Sequence, residues 1–242
     1  MLQECYEIIK DYNKLRDFID TLEDIEGHKY YVSLFARKKY GGTEGLTSDK
    51  CQLKRFTCTK DQLIGKLEQL EIPVGTYTFG DIRVSQQSLV VYISANPRDM
   101  HEAGLRTMEA FMKVIRNKGE IRNPHAEALS QIQVSGKTRL FNVDLDFVKG
   151  YILHTAEIKL WLRGKVNEDA YKLIMTRGGF HILVNLEKLD KSYKHSWYNA
   201  LLLGSSHKEM LEEKKFTIDM KNGDGMLPIP GCTQGGFIPE LI

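Results

Sequence analysis

Asp144 and Asp146 stand two residues apart in Phe141-Asn142-Val143-Asp144-Leu145-Asp146-Phe147, a segment in which apolar and polar residues alternate. Alternate residues of a strand project from one face, so this spacing sets two carboxylates side by side while Val143, Leu145 and Phe147 face a core. Like charges that close repel one another. A divalent cation relieves the repulsion, and hard Mg2+ or Mn2+ prefers carboxylate oxygen, water and substrate phosphate. An edge strand bearing two solvated aspartates has the same pattern, because a motif of two aspartates is short.

A second segment with chemical potential is Thr176-Arg177-Gly178-Gly179-Phe180-His181, between two apolar strand-like runs. Its glycines let backbone approach a ligand closely, Arg177 offers a guanidinium fork suited to phosphate, and His181 opens the next strand with a ring that can donate to a phosphate oxygen. A β-turn followed by a hydrogen-bonded histidine has the same composition. A third segment, Phe216-Thr217-Ile218-Asp219, closes a strand on a carboxylate and precedes the Gly/Pro-punctuated run Pro228-Ile229-Pro230-Gly231-Cys232-Thr233-Gln234-Gly235-Gly236.

Taken in order, a strand DxD, a small-residue turn leading to a strand histidine, and a hydrophobic-Asp before a PG-containing segment resemble the three motifs of the archaeo-eukaryotic primase superfamily, the primase-polymerases. The resemblance spans about residues 139 to 237. It implies an α+β catalytic core with an N-terminal αβ part, residues 1–130, and a C-terminal RRM-like (ferredoxin-like) palm, residues 131–242. It further implies two bound Mg2+ or Mn2+ ions, with Asp144, Asp146 and Asp219 as catalytic and metal-binding carboxylates and Arg177, Gly179 and His181 at the incoming nucleotide. The implied activity is template-dependent nucleotidyl transfer, making or extending a primer on single-stranded DNA from nucleoside triphosphates. A stand-alone small primase of viral or plasmid type, served by a separate replicative helicase, is the expected setting. Asp224, in a Gly-flanked loop, competes with Asp219 for the third carboxylate; Asp219 is preferred because a strand end holds a ligand more rigidly. Gln234 stands where related enzymes often place histidine. Two other classes stay open: a DxD metal-dependent glycosyltransferase, and a non-catalytic nucleic-acid-binding module of ferredoxin-like shape.

Template contacts require positive charge elsewhere. Residues 27 to 60 hold eight basic residues (Lys29, Arg37, Lys38, Lys39, Lys50, Lys54, Arg55, Lys60) against Glu44 and Asp49, interleaved with Tyr30, Tyr31, Phe35, Tyr40 and Phe56. Basic and aromatic residues together suit a groove for single strands, and a solvated basic face over an ordinary core has the same composition. Lys38, Lys39, Lys54 and Arg55 are the candidate contacts. Arg98, at the turn Asn96-Pro97-Arg98, is a further one, although a plain helix N-terminus also accounts for that turn.

The elements that must carry these residues follow from periodicity. Helical spacing of Ile8, Ile9, Tyr12, Leu15, Phe18, Ile19 and Leu22 predicts a helix over residues 3–22. Strands are predicted from Tyr30 to Ala36, Thr76 to Phe79 and Ser88 to Ser94, and helices from Lys60 to Leu70 and from Met100 to Ile115. Residues 117–137 read as a boundary or mobile loop. Beyond them come strands at Leu140 to Phe147, Tyr171 to Thr176, His181 to Asn185 and Lys215 to Met220, with a helix at Lys194 to Leu203. Strands interleaved with helices point to sheet packed against helix.

Composition limits the task. With 34 Lys+Arg against 32 Asp+Glu over 242 residues, the formal charge of +2 excludes both a polybasic nucleic-acid coat and an acidic disordered chain. Neither a membrane span nor a signal peptide is legible, so a soluble cytoplasmic protein, in host cytoplasm if viral, is expected. Cys5, Cys51, Cys58 and Cys232 lack metal-site or secreted-type spacing, and reduced thiols are expected.

Overall fold

The structure, a computed structural model, describes residues 4–49, 51–147, 154–204, 216–220 and 223–242. Gln3, Lys50 and Lys215, each part of a segment singled out above, lie outside the described residues. In chain order the first part contains α1 (Tyr12–Asp20), β1 (His28–Ala36), β2 (Cys51–Cys58), α2 (Leu63–Glu68), β3 (Thr78–Phe79), β4 (Ile82–Arg83), β5 (Leu89–Ser94), β6 (Arg98–Asp99), α3 (Met100–Arg116) and α4 (Pro124–Val134). The second part contains β7 (Leu140–Phe147), α5 (Thr155–Leu162), β8 (Tyr171–Met175), β9 (Gly179–Asn185), α6 (Trp197–Gly204), β10 (Phe216–Asp219), β11 (Met226–Pro228) and β12 (Glu240–Leu241). This is an α+β fold built on antiparallel sheets, and no helix among the described residues is long and apolar enough to cross a membrane. No disulfide joins the four cysteines.

The first sheet runs β11-β5-β1-β2, with β6 paired to the start of β1. Its central strand, β1, is aromatic and β-branched in the manner that suits a strand covered on both sides. Val32, Leu34 and Ala36 enter a core shared with Leu15 and Phe18 of α1 and Leu63 and Leu67 of α2. The second sheet runs β10-β7-β9-β8-β12, every pair antiparallel. One face of it, Val143, Leu145, Phe180 and Ile182, packs on Ile158 and Leu162 of α5 and on Trp197 and Leu201 of α6. Part of the other face, Ile174 and Leu183, joins the first core. The boundary expected near residue 130 is crossed, because β11 returns to lengthen the first sheet beside β5.

Several elements differ from their sequence reading. The opening helix begins at Tyr12, not residue 3, because Asp11 caps it by accepting from the N–H groups of Asn13 and Lys14. Residues ahead of that cap run extended, with bridges Cys5–Pro73 and Ile9–Cys232. Helical spacing misled there because Tyr6, Ile8 and Ile9 are all buried by neighbours on different sides. The loop expected over 117–137 contains α4, whose cap is Asn123 and whose first residue is Pro124, a position where the missing proline N–H costs nothing. Lys60–Leu70 shortens to α2, ahead of which Thr59 N–H reaches Gln62 Oε1 at 3.4 Å. Among the elements the periodicity does not reveal are β2 and α5.

A buried polar knot joins the two sheets. The Asn96 side chain, 1% exposed, accepts from the N–H groups of Arg139 (2.9 Å) and Leu140 (2.8 Å) and donates to Leu140 O (2.8 Å) and Asp224 Oδ1 (2.7 Å). Arg98 pairs with the Asp224 carboxylate beside it, and Asn142 N–H donates to Gly223 O at 2.6 Å. The start of β7 and the turn after β10 are thereby tied to one point of the first sheet. Asn96→Ala leaves three backbone groups and one carboxylate short of a partner in a buried setting. We expect a loss of at least about 3 kcal/mol, read from the urea midpoint. A loss below about 1 kcal/mol would show that water replaces the amide.

Candidate active site

Strand register brings the three sequence segments together. Asp144 of β7 lies opposite His181 of β9 on one side and Asp219 of β10 on the other, and Asp146 lies opposite Gly179. Directly paired residues share a face, so Asn142, Asp144, Asp146, His181 and Asp219 all project from the side of the sheet that α5 and α6 do not cover. Gly179 makes the pairing possible. A Cβ there would sit 1.7 Å from Leu145 O, so only glycine lets β9 approach β7 this closely. Its lack of a side chain thus serves the pairing of β9 with β7. Gly178, one residue earlier, faces the cleft.

That cleft, of about 890 Å3, is lined from the second sheet by the carboxylates and His181, and from the first part by Phe35, Arg37, Lys39, Tyr40 and Tyr92. Arg37 donates to Tyr92 Oη at 2.6 Å and lies over the Tyr40 ring, which fixes its guanidinium at the cleft wall. Arg177 is held more fully. Its guanidinium stacks 4.9 Å from the Tyr40 ring centroid and donates to Gly235 O at 2.6 Å, and its backbone N–H donates to Gln234 Oε1 at 2.9 Å. Gly235 has φ +59°, and a Cβ on it would strike both Arg177 and Tyr40. The Gly/Pro-punctuated segment therefore acts on the cleft through Arg177, with Gln234 as the holding residue.

His181 is buried, and its Nδ1 lies 2.9 Å from Asn142 Oδ1. Since that oxygen can only accept, Nδ1 carries the proton and Nε2 faces Asp144 Oδ1 at 3.7 Å. Burial, aided by Lys39, pulls the ring down to about 4, so it is neutral at pH 7. To donate to phosphate it must take a second proton, which an arriving anion favours. Asn142 escaped the sequence reading although it continues the period-two face of Asp144 and Asp146. Arg37 and Lys39 owe their place in the cleft to the β1–β5 pairing, which no local pattern announces.

Burial and then the adjacent Asp146 push the Asp144 carboxyl up to about 6, with Asp219 adding to the effect and Lys39 and Arg37 opposing it. Among the described residues, no three or more His, Cys, Asp or Glu side chains are disposed to hold an ion by themselves. Asp144 and Asp146 fit Mg2+ or Mn2+ in another way, as a hard carboxylate pair that leaves the remaining positions to water and substrate phosphate. Asp224 is not in competition for this place, because Arg98 and Asn96 already engage it. Arg98 is likewise 3% exposed, so the template contact expected of it is replaced by a structural pairing. Of the other basic candidates, Lys38 and Lys54 are exposed and Arg55 is half-buried. Arg55 and Tyr92 both pair with Ser33, so they share the cleft-side face of the first sheet, whereas Lys54 pairs with Leu34 on the opposite face.

A carboxyl whose folded pKa is raised favours its protonated form in the fold. The stability this contributes is present at low pH and is lost as pH rises through about 6. A shift from 3.8 to about 6 corresponds to at most about 3 kcal/mol. The side chain is 39% exposed, and solvent screening reduces this to about 1–2 kcal/mol. Asp144→Asn should therefore raise the melting temperature at pH 7.5 by a few degrees, and the gain should shrink at pH 5. A variant less stable than wild type at pH 7.5 would refute this account of the site's electrostatics. Scans against protein-family models and searches of curated proteins and of solved structures find no match to this chain.

Proposed function

We propose that this chain is a template-dependent nucleotidyltransferase of the primase-polymerase kind. The observation that carries the reading is the register Asp219–Asp144–His181 across three adjacent strands, which turns three separate sequence motifs into one half-buried cluster. Support comes also from the order of elements, since β7-α5-β8-β9-α6-β10 with β9 inserted between β7 and β8 is the split βαβ arrangement of ferredoxin-like palms.

On this reading Asp144 and Asp146 hold Mg2+ or Mn2+, with Asp219 beside them. A divalent ion supplies Lewis acidity toward the attacking 3′-hydroxyl and the leaving pyrophosphate. Arg177, with Arg37 and Lys39 from the facing wall, binds and orients the triphosphate. Asn142 fixes the tautomer of His181, which gains a proton as phosphate arrives and then donates from Nε2. The aromatic rings of Phe35, Tyr40 and Tyr92 offer apolar surface for a base or sugar.

The test is incubation of the chain with single-stranded DNA, labelled ribo- or deoxynucleotides and Mg2+ or Mn2+, with and without primer. Product without primer identifies priming, and extension alone identifies a primer-dependent polymerase. Asp144→Ala and Asp146→Ala should reduce synthesis to background. His181→Ala should raise the apparent KM for nucleotide roughly tenfold. Synthesis by Asp144→Ala at the wild-type rate, or no product under any condition, overturns the proposal.

Template binding gives a separate expectation from the two faces of β2. Arg55→Glu should weaken single-strand binding and reduce the slope of log K against log salt by about one, whereas Lys54→Glu should change neither. Equal effects from the two would place the strand outside the cleft.

A further inference from the structure

The seam between the two sheets holds a second cavity, beside the Asn96 knot. Leu140, whose backbone Asn96 holds, lines this cavity of about 220 Å3. Asp144, four residues on along the same face of β7 and so ~13 Å away, lines the cleft already described. The floor of the second cavity is apolar and nearly covered, with Phe18 of α1, Leu22 just beyond it, Leu183 of β9 and Leu227 of β11. Its rim carries donors. The Asn185 Oδ1 accepts from the N–H groups of Glu187 (3.0 Å) and Lys188 (3.3 Å), which leaves the amide NH2 to donate, and among the described residues it meets no acceptor. Lys172 of β8 and Lys188 line the same rim, and neither ammonium has a carboxylate partner among the described residues. Burial and then Lys188 hold the Lys172 ammonium below the usual lysine range, so the two like charges act on one another. Two carboxylates also line the cavity, and both are engaged. Glu23 pairs with Arg139 at 3.1 Å, and Asp169 accepts from Asn167 Nδ2 at 2.5 Å.

We propose that this cavity binds a small phosphate monoester, with the phosphate at Lys172, Lys188 and Asn185 and the ester's carbon group on the apolar floor. The donors select the anion. A phosphate monoester brings close to two negative charges and three terminal oxygens, which answer two ammonium groups and an amide. A carboxylate brings one charge and two oxygens, and leaves the repulsion between the lysines half relieved. The volume selects the body. An apolar cavity of about 150 Å3 suffices for a benzene ring, so this one admits a ring or a short chain. It is smaller than the roughly 300 Å3 at which pockets for larger ligands begin, so a nucleoside triphosphate does not fit. The site therefore does not duplicate the cleft, and it stands or falls independently of the proposed activity.

The experiment is calorimetric titration of phenyl phosphate into the full chain at low salt, without divalent cation. Since phosphate can also enter the cleft, variants assign the heat. Lys172→Gln and Lys188→Gln should each weaken binding about tenfold, and together they should remove it, whereas Arg177→Gln should leave it unchanged. Both lysines are exposed, so these variants should melt like wild type. Benzoate, which keeps the ring and carries one charge, should bind about tenfold more weakly than phenyl phosphate, and inorganic phosphate should also bind more weakly because it leaves the floor empty. A second readout needs no substitution. Phenyl phosphate should slow reductive methylation of Lys172 and Lys188, read by mass spectrometry, and leave that of Lys54 unchanged. Binding that survives in the double lysine variant and is lost in Arg177→Gln would put the anion in the cleft and overturn the proposal. Benzoate binding as tightly as phenyl phosphate, or no heat and no protection at millimolar phenyl phosphate, overturns it equally.

Discussion

The repulsion between Asp144 and Asp146 is the constraint around which the second sheet is organised. Two carboxylates on one face of a strand destabilise the fold unless water, cations or both reach them, and the cost rises as the site is buried. Here the opposite face of β7 is fully committed: Val143 and Leu145 are completely buried against α5, α6 and β9. That burial pins the strand so that the aspartates cannot rotate away. Gly179 adds to the constraint by letting β9 lie so close that no side chain fits between the strands. The result is a repulsive pair held in place by apolar packing on the other side of the sheet, the kind of local conflict expected at a functional site.

The positive groups that answer this pair come from elements distant in sequence. Arg37 and Lys39 arrive from the end of β1, and Arg177 from the turn between β8 and β9. Each is restrained by aromatic stacking on Tyr40. Stacked guanidinium groups stay charged and directed without collapsing onto the aspartates, as a direct ion pair would have them do. The Asn96 knot has a matching purpose in the backbone, because it fixes the entry of β7 and the turn after β10 to the same wall that carries Arg37. It holds the two sides of the cleft together alongside the β11–β5 pairing and the Arg177–Tyr40 stack. The same knot separates Asp224 from the cluster that contains Asp219. Its carboxylate is committed to Arg98 and Asn96, while Asp219 stands in register with Asp144.

What the sequence reveals divides along physical lines. The strands bearing Asp144 and Asp219 are legible because one face of each is buried and the sequence alternates, whereas β9, buried on both faces, reads as an apolar run after the Gly178-Gly179 break. Helix α3 is legible from its cap at Asp99 and its amphipathic spacing. Strand β2 is hidden because it is an edge strand whose partly exposed Lys54 and Arg55 break the alternation. Helix α5 is short and buries Ile158, Trp161 and Leu162, so its polar face is too small to show a period. Residues 4–11 imitate a helix because neighbours bury them from several sides. Among site residues, Asn142 was available from the strand pattern. Arg98 and Asp224, 126 positions apart, were not, because nothing local distinguishes a guanidinium facing solvent from one buried against a distant carboxylate.

A formal charge of +2 conceals how the cleft is polarised. Asp144, Asp146 and Asp219 line one wall, and Arg37, Lys39 and Arg177 line positions across from or beside it, with Asp49 next to Lys39, so the anionic cluster and the cationic groups are separate in space. A site of this kind attracts neither a free anion nor a free cation strongly from a distance, because the two fields oppose each other beyond about a Debye length. Close in, the anionic cluster and the cationic groups are distinct. Under the proposed function, the ligand that matches is itself divided, with phosphate toward the guanidinium groups and bound divalent cation toward the carboxylates. Selectivity for such a ligand follows from the separation of the walls, which the Asn96 knot and the stacked Tyr40 hold fixed. Whole-chain charge therefore says little about the site, and the arrangement of six side chains says most of it.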